Sequence, residues 1–110
     1  MLVKDLKELF SGIYSNSLVL FKVGTNETIS FDMIEVSYET REVIFRKTVQ
    51  NEEEKHVNMY VSKVFEIIEN LNPSWNVVFE DIDEPSETFN INSAEVSILN
   101  DTVILKNWNM

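Results

Sequence analysis

The stretch that most constrains the fold is Asn51–Asn72, NEEEKHVNMYVSKVFEIIENLN. Its apolar residues fall at Val57, Tyr60, Val61, Val64, Phe65, Ile68 and Leu71. That is the i, i+3, i+4, i+7 spacing of one helical face. Lys55, Ser62, Lys63, Glu66, Glu69 and Asn70 take the opposite face. Asn51 caps the start, Glu54 stands three residues on as in a capping box, and Glu52–Glu54 set negative charge on the positive end of the helix dipole. Pro73 stops it. The spacing predicts one long helix packed on a sheet. Val57, Met59 and Val61 also alternate, so a competing arrangement pairs Val43–Val49 with Val57–Val61 as a hairpin, with Asn51–Lys55 as its loop and a short helix beginning near Ser62. The cap signals and the seven-position stripe favour the long helix.

The rest of the chain reads as one more helix and six strands. Residues 2–11 form the first helix, with Leu2, Leu6, Leu9, Phe10 and Ile13 as its stripe and Gly12 as a left-handed C-terminal residue. Ser17–Val23 is a strand, and Gly24-Thr25-Asn26 a three-residue hairpin loop that pairs Phe21 with Ile29 and Val19 with Phe31. The second strand, Thr28–Tyr38, slips phase: Ile29, Phe31 and Met33 share one face, Ile34, Val36 and Tyr38 the other. The slip predicts a bulge near Asp32–Met33. Val43–Val49 follows, pairing Tyr38 with Val43, Val36 with Phe45 and Glu35 with Arg46. After the central helix come a strand at Trp75–Phe79, an acidic loop at Glu80–Glu87, and a second phase slip near Asn92–Ser93. A final hairpin turns on Asn100-Asp101, pairing Ile98 with Val103, Val96 with Leu105 and Glu95 with Lys106. The order α-β-β-β-α-β-β-β suggests a repeated unit, but no residue motif recurs. The expected fold is a single α+β domain over residues 1–110, an antiparallel sheet with an N-terminal helix and one long central helix.

Composition fits that class. With 110 residues and 44% hydrophobic content, a core forms without staples. There is no cysteine, which removes disulfides and thiolate chemistry. No apolar run reaches the roughly 20 residues of a membrane span. MLVKDLKELF is amphipathic and carries acids, unlike a signal or transit peptide. The expected location is the cytoplasm, a bacterial host cell if the gene is of phage type.

Net charge is −10 and uneven. Residues 1–51 hold seven acids and six bases; residues 52–110 hold twelve acids and three bases. Such a chain is repelled by nucleic acid and by anionic membranes, and attracted to basic protein surfaces. Both glycines fall in turns, so phosphate-cradling and dinucleotide loops are absent. His56 is the one histidine, and a serine triad or a histidine metal site would need it placed with partners that the sequence does not show. Asp81-x-Asp83-Glu84 lacks the glycine and terminal glutamate of a calcium loop. The expectation is therefore a non-enzyme with no cofactor and no metal. Glu80, Asp81, Asp83, Glu84 and Glu87 form the candidate partner-binding row, with Trp75, Phe89 and Trp108 as candidate apolar anchors.

The opening VKDLKELF helix, the hairpins after it, and WNVVFEDIDEPSETF following a helix resemble the layout of small acidic phage anti-CRISPR proteins directed at Cas-type nucleases. That resemblance implies an inhibitor, monomer or homodimer, that occupies the basic nucleic-acid-binding surface of a nuclease without touching nucleic acid itself. Two alternatives share the same composition: an immunity or antitoxin protein that neutralises a basic toxin, and a self-associating phage accessory protein.

Overall fold

A computed structural model describes residues 1–24, 28–48, 59–81 and 88–107. Its elements are α1 (Val3–Ser11), β1 (Leu18–Val23), β2 (Met33–Ser37), β3 (Glu42–Lys47), α2 (Val61–Ile68), β4 (Asn76–Asp81), β5 (Thr88–Asn90), β6 (Ser93–Ser97) and β7 (Thr102–Asn107). The radius of gyration, 13.0 Å, is that of one domain of this length. The class is α+β, as expected. No helix among the described residues is long and apolar enough to cross a membrane.

The central helix is shorter than its stripe predicts. α2 begins at Val61, because the chain just before it is extended. Met59 O accepts a hydrogen bond from Val19 N at 2.8 Å, and Tyr60 bridges Leu18. Sheet pairing outbids helix formation there. Val61, Val64 and Ile68 are buried as the spacing requires. Asn51, Glu52–Glu54, His56 and Val57 lie outside the described residues. The start near Ser62 in the competing reading is thus closer to the structure, although β3 pairs with β2 and β4. In α1, Asp5 accepts a hydrogen bond from Leu2 N at 3.0 Å, half of a capping box. Gly12 has φ −102, so it is not the left-handed cap.

The strands form two sheets, β1-β7-β6 and β2-β3-β4-β5. They are mixed, which corrects the antiparallel expectation: β1 runs parallel to β7, and β3 parallel to β4. The hairpins β2–β3 and β6–β7 are antiparallel, as tight connections require. β3 reaches β4 only through the long connection that carries α2, and a long crossover permits a parallel neighbour. Both phase slips mark changes of sheet. Ile29 pairs with Phe21 beside β1, and the chain then enters β2 in the other sheet. β5 pairs with β4, and the chain then enters β6 in the first sheet. A chain that turns a corner between sheets must switch the face its side chains present.

Both hairpin registers differ from expectation by two residues, and in the same sense. Val36 stands opposite Val43 and Val96 opposite Val103. Tyr38 and Ile98 therefore leave the strands and sit in four-residue turns. Each turn closes on a residue with positive φ, Arg41 at 59° and Asp101 at 49°.

That parallel points to an internal two-fold. Val3 and Val61, and Leu18 and Asn76, open matching elements 58 residues apart; Met33 and Ser93, and Glu42 and Thr102, do so 60 apart. The hydrogen bonds repeat too. Val3 N donates to Trp75 O at 2.8 Å, and Val61 N to Ser17 O at 2.9 Å. Asn76 N donates to Arg41 O, and Leu18 N to Asp101 O. Asp32 N donates to Arg46 O, and Asn92 N to Lys106 O. Each half contributes strands to both sheets, so the halves interlock instead of standing side by side. Aligned by this pairing, the residues do recur: Val19-x-Phe21 with Val77-x-Phe79, Glu35-Val36-Ser37 with Glu95-Val96-Ser97, and Val43-Ile44 with Val103-Ile104.

One core results. Val3, Leu6 and Phe10 of α1 match Val61, Val64 and Ile68 of α2, and all six are buried. Phe21, Phe31, Phe45 and Phe79 form a connected aromatic cluster with centroids 4.5 to 5.3 Å apart. Burying each such ring contributes about 1.5–3 kcal/mol.

Candidate interaction site

The structure divides the expected acidic row. Glu80 and Asp81 are strand residues at the end of β4, while Asp83, Glu84 and Glu87 lie outside the described residues. Glu80 is committed to a structural pair. It stands opposite Arg46 in the β3–β4 register, with Nη2 3.3 Å from its carboxylate. Arg46 Nη1 meets Glu35 at 2.6 Å, so one guanidinium spans three strands. Asp81 stands opposite Lys47. Charge of the partner-seeking kind is therefore not gathered on β4.

The matching face of the other sheet repeats the device with one change. Lys106 meets Glu95 at 2.6 Å, diagonally across the β6–β7 pair. Lys22 takes the place corresponding to Glu80, beside Lys106 in the β1–β7 register. Hydrogen bonding and charge from Lys106, with a smaller attraction from Lys22, hold the Glu95 carboxyl below its ordinary range. Both expected ion pairs thus form, but as diagonal neighbours within reach of long side chains and not as directly opposed residues.

Among the described residues no cluster of three acids or histidines is placed to hold a metal ion. Asp32 is spent on local structure: its carboxylate accepts hydrogen bonds from Thr48 N at 2.7 Å and from the Thr48 hydroxyl.

The unspent surface is apolar and lies at the turn after β6. Ile98 is 86% exposed and Leu99 97%. Tyr14, at 63%, and Val96 stand with Ile98 around a cleft of about 280 Å³ that Gly12, Ile13, Ser17, Ser97 and Asp101 complete. β6 forms one edge of its sheet, with no further strand beside it among the described residues. Of the expected anchors, Trp75 and Phe89 are half-buried against the core, and Trp108 lies outside the described residues. The residues that sequence reasoning missed are Tyr14, Ile98 and Leu99. The missed signal was the contrast between the two matching turns: Tyr38-Glu39-Thr40-Arg41 is polar after its first residue, whereas Ile98-Leu99-Asn100-Asp101 opens with two exposed aliphatics.

A second cleft, about 350 Å³, lies between the end of α1 and the start of α2, lined by Phe10, Ile13, Val61 and Phe65 among others. In the other half Lys7 replaces Phe65 and donates to Glu69 O at 3.0 Å.

No protein-family model matches the chain, and neither the curated proteins nor the solved structures contain a detectable relative.

Proposed function

We propose that the protein is a non-catalytic binding protein that docks on a basic surface of a partner protein, with the Tyr14, Val96, Ile98 and Leu99 patch as the apolar contact. The observation that carries this is the patch itself: Tyr14, Val96 and Ile98 exposed around one cleft at the end of an edge strand, with Leu99 exposed next to Ile98 in the turn, on a chain of net charge −10. Contiguous exposed apolar surface marks interaction sites. Net negative charge speeds encounter with basic partners and repels acidic ones, while desolvated apolar anchors supply most of the affinity. A nucleic-acid-binding protein such as a nuclease is the partner class that best fits this charge, and blocking its basic surface is the mechanism. Glu80 acts within the fold, so steering falls to the chain's overall field and to Asp83, Glu84 and Glu87.

Capture from a bacterial lysate tests this. Wild type is compared with Ile98→Asp/Leu99→Asp and with a variant carrying Lys at 83, 84 and 87. The reading requires a basic protein that wild type retains at low salt, that high salt releases, and that both variants fail to hold.

Self-association is the second reading. β2 and β6 are both edge strands, and Met33 and Val96 are exposed along them. Sedimentation mass that rises with concentration, and falls back in Ile98→Asp/Leu99→Asp, would favour it.

A further inference from the structure

We infer that the cleft beside Ser17 is a receptor for an aromatic side chain, of indole size, presented by a basic segment of the partner protein. This deepens the binding reading above and rests on it.

The internal two-fold shows what such a cleft holds. Ser17 corresponds to Trp75, and Ile98 to Tyr38. In one half the Trp75 ring packs against Tyr38 edge to face, with centroids 5.1 Å apart. In the other half both rings are replaced, and Ser17, nearly buried, and Ile98 are two of the residues that line the cleft of about 280 Å³. Two backbone hydrogen bonds there repeat. Ser17 N donates to Tyr14 O at 2.9 Å, as Trp75 N does to Asn72 O at 3.2 Å. Ser17 O accepts from Val61 N, as Trp75 O does from Val3 N. The frame that seats an indole is therefore present twice, but only one copy supplies the indole.

Charge selects the flanks. Asp101 lines the cleft and Arg41 is its counterpart, so the open copy is anionic where the filled copy is cationic. Tyr14 offers the incoming ring an aromatic wall. An aromatic residue buries roughly 150–250 Å² and takes a preferred edge-to-face or offset geometry. Neighbouring Lys or Arg would meet Asp101, on a chain of net charge −10.

The test uses two blocked peptides, Lys-Trp-Lys and Lys-Ala-Lys, titrated to about 10 mM into the isotopically labelled full chain. Amide shifts are followed by NMR. The tryptophan peptide is expected to move Gly12, Tyr14, Ser17, Ser97 and Asp101 saturably, and to bind about tenfold more tightly than the alanine peptide. Ser17→Trp/Ile98→Tyr rebuilds the Trp75 and Tyr38 pair, and is expected to keep a dispersed spectrum and lose the response. Ile98→Asp, at a position 86% exposed where folding should stay intact, is expected to weaken it at least about threefold. No response from wild type, an equal response to both peptides, or an unchanged response in either variant would overturn the receptor. So would a response that weakens as protein concentration rises while sedimentation mass increases, since a second copy would then be the occupant. Lysate capture separates the two levels: a basic partner held equally by wild type and by Ser17→Trp/Ile98→Tyr overturns the receptor and leaves docking by charge standing.

Discussion

Phe21 and Phe79 stack with ring centroids 4.5 Å apart and planes 15° apart, and each is the counterpart of the other in the internal two-fold. One lies on β1 and the other on β4, so the stack joins the two sheets at the centre of the core. Both are fully buried. Phe21→Leu and Phe79→Leu are expected to lower stability by similar amounts, about 1–2 kcal/mol each, and Phe→Ala at either site by about 3–5 kcal/mol. The double Leu variant should lose less than the sum, because the two rings touch. Urea unfolding of wild type and the five variants measures all of these losses. Strongly unequal losses would mean that one sheet dominates the core.

Arg41 occupies the left-handed region at φ 59° in an exposed turn. An L-residue there is strained by about 1–2 kcal/mol, and glycine relieves that at the cost of chain entropy. Arg41→Gly is expected to stabilise by about 0.5–1 kcal/mol, or about 2–6 °C in Tm. Asp101 at φ 49° should gain less, since aspartate tolerates this region better. Arg41→Val should destabilise. Thermal unfolding by circular dichroism distinguishes the three.

Tyr38 and Trp75 meet edge to face at 5.1 Å, and Tyr38 is otherwise exposed. A double-mutant cycle with Tyr38→Ala and Trp75→Ala is expected to give a coupling of about 0.5–1.5 kcal/mol. Zero coupling would show that the pair does not seat the indole, and would remove the internal template for the cleft beside Ser17.

Glu95 carries a carboxyl held below its ordinary value by Lys106. A carboxylate with a lowered folded pKa stabilises the fold above its unfolded pKa, and that contribution is lost as pH falls through the folded value. Glu95→Gln is therefore expected to be less stable than wild type near neutral pH. The gap should close on acidification below the usual carboxylate range. Lys106→Met should raise the Glu95 pKa toward its ordinary value, followed by side-chain carboxyl NMR. A gap that widened in acid would reverse the assigned sign.

Local pattern carried the α+β class, the pairing of Phe21 with Ile29, both ion pairs and most of the core faces of both helices, whereas Val19, expected opposite Phe31, bonds Met59 instead. Long-range pairing was not legible. The parallel neighbours β1–β7 and β3–β4 join segments far apart in sequence, and periodicity contains no information on which distant strands meet. The phase slips at residues 32–33 and 92–93 were visible, yet a slip reads equally as a bulge or as a corner between sheets. The two registers failed together because apolar Tyr38 and Ile98 look like strand residues; only the turn geometry at Arg41 and Asp101 ejects them. The element order suggests the repeat, but no motif shows it, because the matching residues are a few short runs whose spacing shifts from 58 to 60 between the halves. For the site, charge drew attention to Glu80–Glu87, whereas the exposed patch depends on which side of a turn Ile98 and Leu99 fall.

The most direct test is the salt-resolved capture of a basic partner by wild type beside Ile98→Asp/Leu99→Asp. Both positions are solvent-exposed, so the variant should fold as wild type does and differ only at the patch. Retention of a basic protein by wild type at low salt, release at high salt, and failure of the variant to hold it is the predicted result. The same protein retained by both, or nothing basic retained by either, would contradict a binding role for this patch.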